Sequence, residues 1–375
     1  MKAKELIDFL IANDILDYTG VPCSIFTSVI DYLENNHKYF TAASEGEAMG
    51  IAAGFALANR IPAVLMQNDG FGNAINPLTS LQKIYNLPTL LIISWRGKPG
   101  ENDAPQHLWS GKTLIDLMNL YEINYIVLEE NLEVQKNQIK KLLYEIKEKN
   151  TIGALICRKS TFLQGQTKLT EDKVLMTCQE AINIILDELD HKAVVFSTTG
   201  GISRELYSIS NSNRHFYTLG SMGCVSSIAM GFQLKMNKRV AVLDGDGSIL
   251  LHMGTLATIG YYQPERFLHI CLDNESHQST GGQKTVASVI NLSDVARECN
   301  YRAVKLVTTE QDIRAFIRNW NQNPQLSFLH VKISKQNKLL PKRPSETPVE
   351  LKKRFMQDVV SKINEDNLPT VENEF

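Results

Sequence analysis

The stretch "AVLDGDGSIL", residues 241–250, places two aspartates, separated by a single glycine, directly after an apolar run. The apolar run predicts a buried strand, so Asp246 is expected in a bare polar turn at the end of that strand. Three interpretations compete: a calcium loop, a tight turn with Ser248 as a helix N-cap, and a diphosphate-binding turn in which Asp246 holds a divalent metal. Ile249 argues against the calcium loop, because it stands where an EF-hand needs glycine.

A second oxygen ligand for such a metal follows the next predicted strand. "FLHICL", residues 267–272, is apolar, and Asn274 comes shortly after it. Because neighbouring parallel strands end at the same edge of a sheet, Asp246 and Asn274 are expected beside one crevice. Carboxylate and amide oxygens are ligands that Mg²⁺ prefers. The alternative is that Asn274 is an ordinary turn residue.

The composition sets the class of protein. The chain has 375 residues, of which 43% are hydrophobic and 21% charged, and its formal net charge is −2. This balance is typical of a soluble globular protein with room for two domains, and it argues against nucleic acid or a membrane surface as a partner. The six cysteines form no CxxC pair, which argues against a zinc site and favours reduced thiols in the cytoplasm.

Short apolar runs alternate with longer segments of helical period along the chain. The runs predict strands that are buried on both faces, at residues 62–66, 88–94, 193–198, 239–244, 267–272 and 326–333. Helical period is clear over 132–149 and 175–190. Alternating strands and helices favour an α/β fold with open, doubly wound parallel sheets.

The apolar periodicity is lost over residues 158–173, which predicts a boundary between two domains. We expect a first domain over 1–165, a second over 174–340, and a C-terminal helix and tail over 341–375.

The C-terminal helix is predicted from its own capping pattern. Thr347 would be the N-cap, Pro348 the first helical residue, and Glu350 the partner that completes a capping box. Its expected buried stripe is Leu351, Phe355 and Val359. Residues 364–375 show no periodicity and are expected to be loose.

The "GDG" turn followed by an asparagine after the next strand resembles the signature of thiamin diphosphate enzymes. The resemblance implies that the side chains of Asp246 and Asn274 and the carbonyl of Ser276 bind Mg²⁺. It implies a pyrimidine-binding first domain and a diphosphate-binding second domain, with no middle domain. In that family the two domains contact the cofactor from different subunits, so a homodimer is the minimum active unit and a tetramer is the larger alternative. The turn itself would bind the diphosphate through Gly245, Gly247 and Ser248.

Thiamin chemistry also needs an acid that stabilises the imino form of the aminopyrimidine ring, and "SEGEAMGIAAGFA", residues 44–56, supplies two. Ser44 and Glu47 have the spacing of a capping box, which gives Glu47 a structural role. Glu45 has no such structural role. The small residues of this helix predict close packing on several faces, so the Glu45 carboxyl group is expected to be shielded from water. Such burial raises the pKa of a carboxyl group. The alternative is that Glu45 only complements the helix dipole. The resemblance favours Glu45 as the catalytic acid, because the family's glutamate precedes a glycine at the distance of Gly54.

Further stretches resemble the phosphonopyruvate decarboxylases and the related sulfopyruvate decarboxylases. They are residues 20–24, 67–78, 95–107, 197–207, 219–223 and 273–285. The resemblance implies that Gly220 offers its carbonyl to the aminopyrimidine and that Met222 supports the bent cofactor, although methionine is otherwise a common core residue. It also implies that Thr199, Gly200 and His277 line the cofactor pocket.

The same resemblance predicts the reaction, which is decarboxylation of 3-phosphonopyruvate to phosphonoacetaldehyde and CO₂ in phosphonate biosynthesis. His107 is the candidate for proton exchange, and Ser24, Gln106 and His107 are expected to contact the substrate. The alternative for Ser24 is a helix N-cap. The basic candidates for binding the phosphonate are Arg96, Lys98, Arg204 and Lys284.

Three positions depart from this branch. Cys23 and Ala104 stand where the branch frequently has acids, and Cys224 stands where it frequently has histidine. These changes alter the charge and the proton supply of the expected pocket. Sulfopyruvate decarboxylation and carboligation therefore stay as alternatives, and so does a catalytically silent protein that keeps the fold.

Overall fold

The computed structural model describes residues 1–36, 39–163, 175–335 and 340–360, and within them it shows two parallel sheets flanked by helices. The helices are α1 (Ala3–Ile11), α2 (Thr27–Asn35), α3 (Glu45–Leu57), α4 (Phe71–Pro77), α5 (Leu108–Leu120), α6 (Lys136–Lys149), α7 (Cys178–Glu188), α8 (Gly201–Ile209), α9 (Val225–Gln233), α10 (Asp246–Leu251), α11 (Gly254–Tyr262), α12 (Leu292–Glu298), α13 (Glu310–Gln322) and α14 (Pro348–Val359). The strands are β1 (Tyr18–Gly20), β2 (Tyr39–Thr41), β3 (Ala63–Gln67), β4 (Thr89–Ser94), β5 (Asn124–Val127), β6 (Ile152–Cys157), β7 (Val194–Ser197), β8 (His215–Tyr217), β9 (Val240–Gly245), β10 (Phe267–Asp273), β11 (Ser276–His277), β12 (Gln283–Lys284), β13 (Ala303–Val307) and β14 (Ser327–Lys332).

The first sheet has the strand order β2-β1-β3-β4-β6-β5, and all its strands are parallel. Alternate residues of each strand point to opposite faces. On β3, Leu65 belongs to a core cluster with α1, α2 and α6, whereas Val64 and Met66 belong to a cluster with α3, α4 and α5. Helices therefore cover both faces, as the doubly wound prediction requires.

The second sheet has the order β13-β14-β10-β9-β7-β8 and is also parallel. Helices α7, α8 and α13 cover one face, and α9 to α12 with α14 cover the other. Strands β9 and β10 are neighbours, with Gly245 opposite Leu272. The prediction that Asp246 and Asn274 follow adjacent strands at one edge is therefore confirmed.

The apolar runs located the central strands well. The six predicted strands are present as β3, β4, β7, β9, β10 and β14. The two predicted helices are α6 and α7, although α6 begins only after a 3₁₀ turn over Leu132–Val134. Strands of three residues, such as β1, β2 and β8, were missed because they are too short to show a period.

The prediction for the C-terminal helix is confirmed in detail. Thr347 Oγ1 accepts from the Glu350 amide, and the Glu350 side chain accepts from the Thr347 amide, so the capping box is complete. The expected stripe, Leu351, Phe355 and Val359, is buried.

Some predictions fall where the structure gives no description. Most of the predicted boundary over 158–173 and the tail over 364–375 lie outside the described residues. The domain limits therefore stay predictions. In the described part of the chain, no helix combines the length and the apolar character needed to cross a bilayer.

Candidate active site

A cavity of about 1740 Å³ lies between the two halves of the chain, near the carboxyl ends of strands from both sheets. The halves meet beside it, where Thr27 Oγ1 donates a hydrogen bond of 2.7 Å to the carbonyl of Thr280. The predicted site residues that line the cavity are Ser24, Glu45, Gln106, His107, Thr199, Gly200, Gly220 and Met222. The structure therefore brings the candidate acid, the candidate proton donor and the candidate pyrimidine-binding loop together.

Glu45 is held in place at the start of α3. It is only 6% exposed, and Asn73 Nδ2 donates to its Oε2 at 2.9 Å. Gly70 lies so close that a Cβ built on it would stand 2.0 Å from Glu45 Oε1. Only glycine leaves room for the carboxyl group in this position, which explains the "DG" that follows β3.

Glu47 has the structural role that the sequence predicts, with one correction. Ser44 Oγ accepts from the Glu47 amide at 3.2 Å, as an N-cap does. Glu47 Oε2, however, accepts from the Ala43 amide at 2.8 Å, so the reciprocal bond falls one residue before the predicted capping box. Within this chain, the close packing expected for α3 is present at Ala48, Ala52 and Ala53, which are buried, whereas Gly50 and Gly54 face open space.

His107 is held by a carboxylate that the sequence analysis missed. His107 is 8% exposed, and its Nδ1 lies 2.6 Å from Asp69 Oδ2. Ser110 Oγ donates to the other oxygen of Asp69 at 2.5 Å. Burial favours a higher pKa for Asp69, but the hydrogen bonds from His107 and Ser110 outweigh it and lower the pKa below its ordinary value. The ionised Asp69 therefore orients the imidazole.

The glycine turn is the start of α10. Gly245 is the N-cap and Asp246 the first helical residue, so the alternative of Ser248 as N-cap is wrong. Ser248 lies inside the helix, where its Oγ accepts from the Gly223 amide at 3.2 Å and lies 2.9 Å from Thr198 Oγ1. This hydroxyl ties the turn to the two loops that line the cavity.

Asp246 sits in a place that is unfavourable for an uncompensated negative charge. It is 2% exposed, and its Oδ2 accepts from Thr285 Oγ1 at 2.5 Å. Burial, and then the charge of Asp273, raise the pKa of Asp246 to about 7. A bound divalent cation would remove this penalty. Beside it, Asn274 Oδ1 accepts from the Ser276 amide at 3.0 Å in a turn that follows β10.

The predicted donor set fits a small, hard cation. It consists of one carboxylate, one amide oxygen and one backbone carbonyl, which suits Mg²⁺ with phosphate oxygens as further ligands. Within the ranges that the structure describes, no group of three or more His, Cys, Asp or Glu side chains could hold a metal. A site richer in nitrogen or sulfur ligands is therefore not an alternative in those ranges.

His277 covers the glycine turn, which is the predicted diphosphate site, and it is not among the residues that line the large cavity. A Cβ built on Gly247 would lie 2.9 Å from His277 Cε1. His277 belongs to the β11–β12 hairpin, which folds over the turn. Burial lowers the pKa of His277 to about 4, so it packs there as a neutral ring. The turn and the metal donors are consequently not among the residues that line the cavity.

The other predicted pocket residues lie on two loops after β7 and β8. Thr199 Oγ1 donates to the Leu219 carbonyl at 2.7 Å, which joins these loops. Gly220 faces Gln106 across the cavity, and a Cβ on Gly220 would lie 3.2 Å from Gln106 Cβ.

The positions that depart from the related branch have distinct surroundings. Cys23 is buried, and burial raises the pKa of its thiol, which makes it an unreactive core residue. Cys224 Sγ lies 3.7 Å from His252 Nδ1, and both residues line the cavity. An imidazole is therefore present beside Cys224. Ser24 lines the cavity but caps no helix, because Phe26 is the N-cap of α2.

Both walls of the cavity come from one chain. The sequence analysis expected Glu45 to face the second domain of another subunit, whereas here it lines the same cavity as Gly220 and Met222 of its own chain. The contact between Thr27 and Thr280 holds the two halves in this arrangement.

Comparison with known proteins gives the family. The model described as "Thiamine pyrophosphate enzyme, N-terminal TPP binding domain" matches residues 2–118, and "Thiamine pyrophosphate enzyme, C-terminal TPP binding domain" matches 198–331. The phosphonopyruvate decarboxylase of Streptomyces viridochromogenes is 32% identical over 94% of this chain and 94% of its own.

Two further relatives are sulfopyruvate decarboxylases. That of Methanosarcina acetivorans is 29% identical over 92% of this chain and 95% of its own. The sulfopyruvate decarboxylase subunit beta of Methanocaldococcus jannaschii is 34% identical over 48% of this chain and 95% of its own. This chain therefore belongs to the thiamine pyrophosphate enzymes, in the branch that contains the phosphonopyruvate and sulfopyruvate decarboxylases.

Proposed function

We propose that this chain catalyses the decarboxylation of 3-phosphonopyruvate to phosphonoacetaldehyde and CO₂. The observation that carries the proposal is that Glu45, His107, Gly220 and Met222 line one cavity. The likeness of almost the whole chain to a phosphonopyruvate decarboxylase supports this choice of substrate. When bound, thiamine pyrophosphate supplies an electron sink for the electron pair that remains when CO₂ departs.

Different residues of this chain bind the cofactor, contact the substrate and transfer protons. Gly220, Met222, Thr199 and Gly200 bind and orient the cofactor, and Ser24 and Gln106 contact the substrate. Glu45, oriented by Asn73, is the acid of the site. Because Asp69 holds Nδ1 of His107, Nε2 is the ring nitrogen that exchanges a proton with the reacting carbon.

A matched pair of glutamate variants tests the role of Glu45. We expect Glu45→Gln to lower the rate of CO₂ release by about 10²–10⁴-fold, the usual loss for a general acid, while the cofactor still binds. Glu47→Gln, on the same turn of α3 but exposed, should keep its activity. The measurement is CO₂ release from phosphonopyruvate by protein reconstituted with thiamine pyrophosphate and Mg²⁺. Equal rates for Glu45→Gln and the unchanged protein would contradict the role.

We also propose that the site takes Mg²⁺ through Asp246, Asn274 and the carbonyl of Ser276, with the diphosphate on Gly245, Gly247 and Ser248. The positions of Asp246 and Asn274 after the neighbouring strands β9 and β10, at one edge of the second sheet, support this.

Removal of the metal or of its carboxylate tests this site. We expect EDTA, or Asp246→Asn, to abolish Mg²⁺-dependent binding of thiamine pyrophosphate in isothermal titration calorimetry. Asp294→Asn, an exposed aspartate on α12, is the control and should bind normally. Unchanged binding by Asp246→Asn would rule out Asp246 as a ligand.

Sulfopyruvate decarboxylation is the second candidate function. It is favoured by the relative from Methanosarcina acetivorans. Product analysis with phosphonopyruvate and sulfopyruvate, each with and without an added aldehyde, separates the two decarboxylations from carboligation. Absence of CO₂ release with both acids would favour the silent protein.

We place this activity in the cytoplasm, in phosphonate biosynthesis, and in a homodimer or tetramer. All six cysteines are free, which fits a reducing compartment. Loss of CO₂ makes the step effectively irreversible, which suits a biosynthetic pathway. The relative named subunit beta corresponds to about half of this chain, and the open face of α3 at Gly50 and Gly54, next to the 74% exposed Leu57, supports assembly. Light scattering of the purified protein tests the oligomeric state.

A further inference from the structure

The cavity is lined by cationic side chains as well as by acids. Each acidic side chain that lines it is already engaged: Glu45 with Asn73, Asp69 with His107, Asp103 with Arg96, and Glu346 with Arg354. Lys159, Arg204 and Arg343 also line the cavity, and none of them forms an ion pair with a described acid. The cavity is therefore suited to an anionic ligand.

Arg204 binds the backbone of the segment that carries Arg343. Arg204 projects from α8, and its guanidinium donates to the carbonyls of Pro341 and Leu340. These bonds seat the segment 340–346 against α8 and bring Arg343 near Arg204. Burial, and then the charge of Arg343, lower the pKa of Arg204, although the charge of Glu205 acts in the opposite direction. An anion bound beside both guanidinium groups would offset the repulsion between them.

The other basic candidates are less suited to the substrate. Arg96 makes a two-pronged ion pair with Asp103, with contacts of 2.6 and 2.7 Å, and its charge is thereby balanced. Lys98 pairs with Glu101 at 3.0 Å. Lys284 is not among the residues that line the cavity. Of the four cations that the sequence analysis left unranked, Arg204 alone lines the cavity without an ion pair to an acid in the described part of the chain.

The geometry points to Arg204 and Arg343 as the subsite that binds the phosphonate group of the substrate. This inference rests on the proposed function. Guanidinium groups are permanently charged and carry five N–H donors, so Arg204 keeps donors for an oxyanion beside its bonds to the two carbonyls, and Arg343 adds a second cation. Arg343 was missed because it follows the last predicted strand, where no motif marked it. The diphosphate of the cofactor offers similar oxygens, so the test must separate the two ligands.

Binding of an unreactive analogue tests the subsite without turnover. The probe is 3-phosphonopropanoate, which lacks the keto group, titrated calorimetrically into protein loaded with thiamine pyrophosphate and Mg²⁺. We expect Arg343→Gln and Arg204→Gln to weaken its binding at least about tenfold, as loss of a hydrogen bond to a charged group does. Lys342→Gln, an exposed neighbour outside the cavity, should bind within about twofold of the unchanged protein.

Kinetics and cofactor binding complete the test. Arg343→Gln should raise KM for phosphonopyruvate by a similar factor, and its affinity for thiamine pyrophosphate, measured by tryptophan fluorescence, should not change. Equal probe affinity and equal KM in Arg343→Gln would overturn the subsite. So would a loss of cofactor affinity with unchanged probe affinity, because the pair would then hold the diphosphate. If Arg204→Gln unfolds the segment 340–346, the Arg343→Gln variant, which replaces an exposed side chain, still tests the subsite.

Turnover by the unchanged protein reports separately on the proposed function. If it decarboxylates phosphonopyruvate and Arg343→Gln does so with the same KM, only the subsite fails. If the unchanged protein releases no CO₂ from phosphonopyruvate, the proposed function fails.

Discussion

At the scale of single residues, the position of the candidate acid depends on a glycine. Replacement of Gly70 by alanine would place a Cβ 2.0 Å from Glu45 Oε1, so the carboxyl group must move. The φ angle of Gly70 is −72°, which alanine adopts freely, so the effect would come from this contact. We expect Gly70→Ala to lower turnover at least about tenfold, because misplacement of a catalytic group by about 1 Å costs up to 10²-fold. Steady-state kinetics on the reconstituted protein measures this.

Gly72 provides the control on the same helix. Nothing lies within 4 Å of a Cβ built there, so Gly72→Ala should keep its turnover and gain up to about 1 kcal/mol of helix stability. If Gly70→Ala and Gly72→Ala turn over equally fast, the position of Glu45 does not depend on Gly70.

The sequence identified some site residues and missed others for physical reasons. Glu45 was found because its neighbour Glu47 had a separate capping role. Asp69 was missed, although Asp69 and Gly70 follow β3 as Asp246 and Gly247 follow β9. This repeated Asp-Gly turn could have identified Asp69 as a candidate site residue from the sequence alone. The pairing of Asp69 with His107 could not be predicted, because the two residues are far apart in the chain and only the fold brings them together.

At the scale of elements, α14 closes the second half through an aromatic cluster. Phe355 stands 5.4–5.7 Å, between ring centroids, from the rings of Phe196, Phe216 and Phe232. Phe355 is 5% exposed, so its removal leaves a cavity in the core. We expect Phe355→Ala to lower the free energy of unfolding by about 3–5 kcal/mol, measured by urea denaturation.

The next residue of α14 is a matched control. Met356 is 47% exposed, and Met356→Ala should change the free energy of unfolding by less than about 0.5 kcal/mol. A Phe355→Ala variant as stable as Met356→Ala would mean that α14 does not contribute to the core.

The helix and its buried stripe were predictable, whereas its partners were not. The capping box and the spacing of Leu351, Phe355 and Val359 are local patterns that need no knowledge of the fold. The aromatic rings that receive Phe355 come from β7, β8 and α9. Their meeting depends on the strand order of the second sheet, which a single sequence leaves open.

At the scale of the whole molecule, the two-part α/β organisation follows from the alternation of apolar runs and helical segments. The orientation of the two halves relative to each other does not follow from this alternation. The hydrogen bond between Thr27 and Thr280 joins two polar loops that carry no pattern of their own. The segment 340–346, which follows the last strand and places Arg343 near Arg204, likewise carries no sequence pattern that predicts its position.

The acid stability of the chain should depend on His215 at the start of β8. His215 is 7% exposed, and burial lowers its pKa to about 4, despite a hydrogen bond to the Ser210 carbonyl. The unfolded chain takes up a proton near the ordinary pKa of 6.5, whereas the folded chain does so only near 4. The contribution of His215 is therefore complete above pH 6.5 and is lost as the pH falls to 4, by up to about 3 kcal/mol.

Urea denaturation at a series of pH values checks this. We expect the free energy of unfolding of the unchanged protein to fall more steeply between pH 6.5 and 4 than that of His215→Gln, by close to one proton per molecule. His191, whose side chain is 89% exposed, is the control, and His191→Gln should keep the steep slope. Equal slopes for all three proteins would show that His215 titrates alike in the folded and unfolded chains, and that its burial does not limit acid stability.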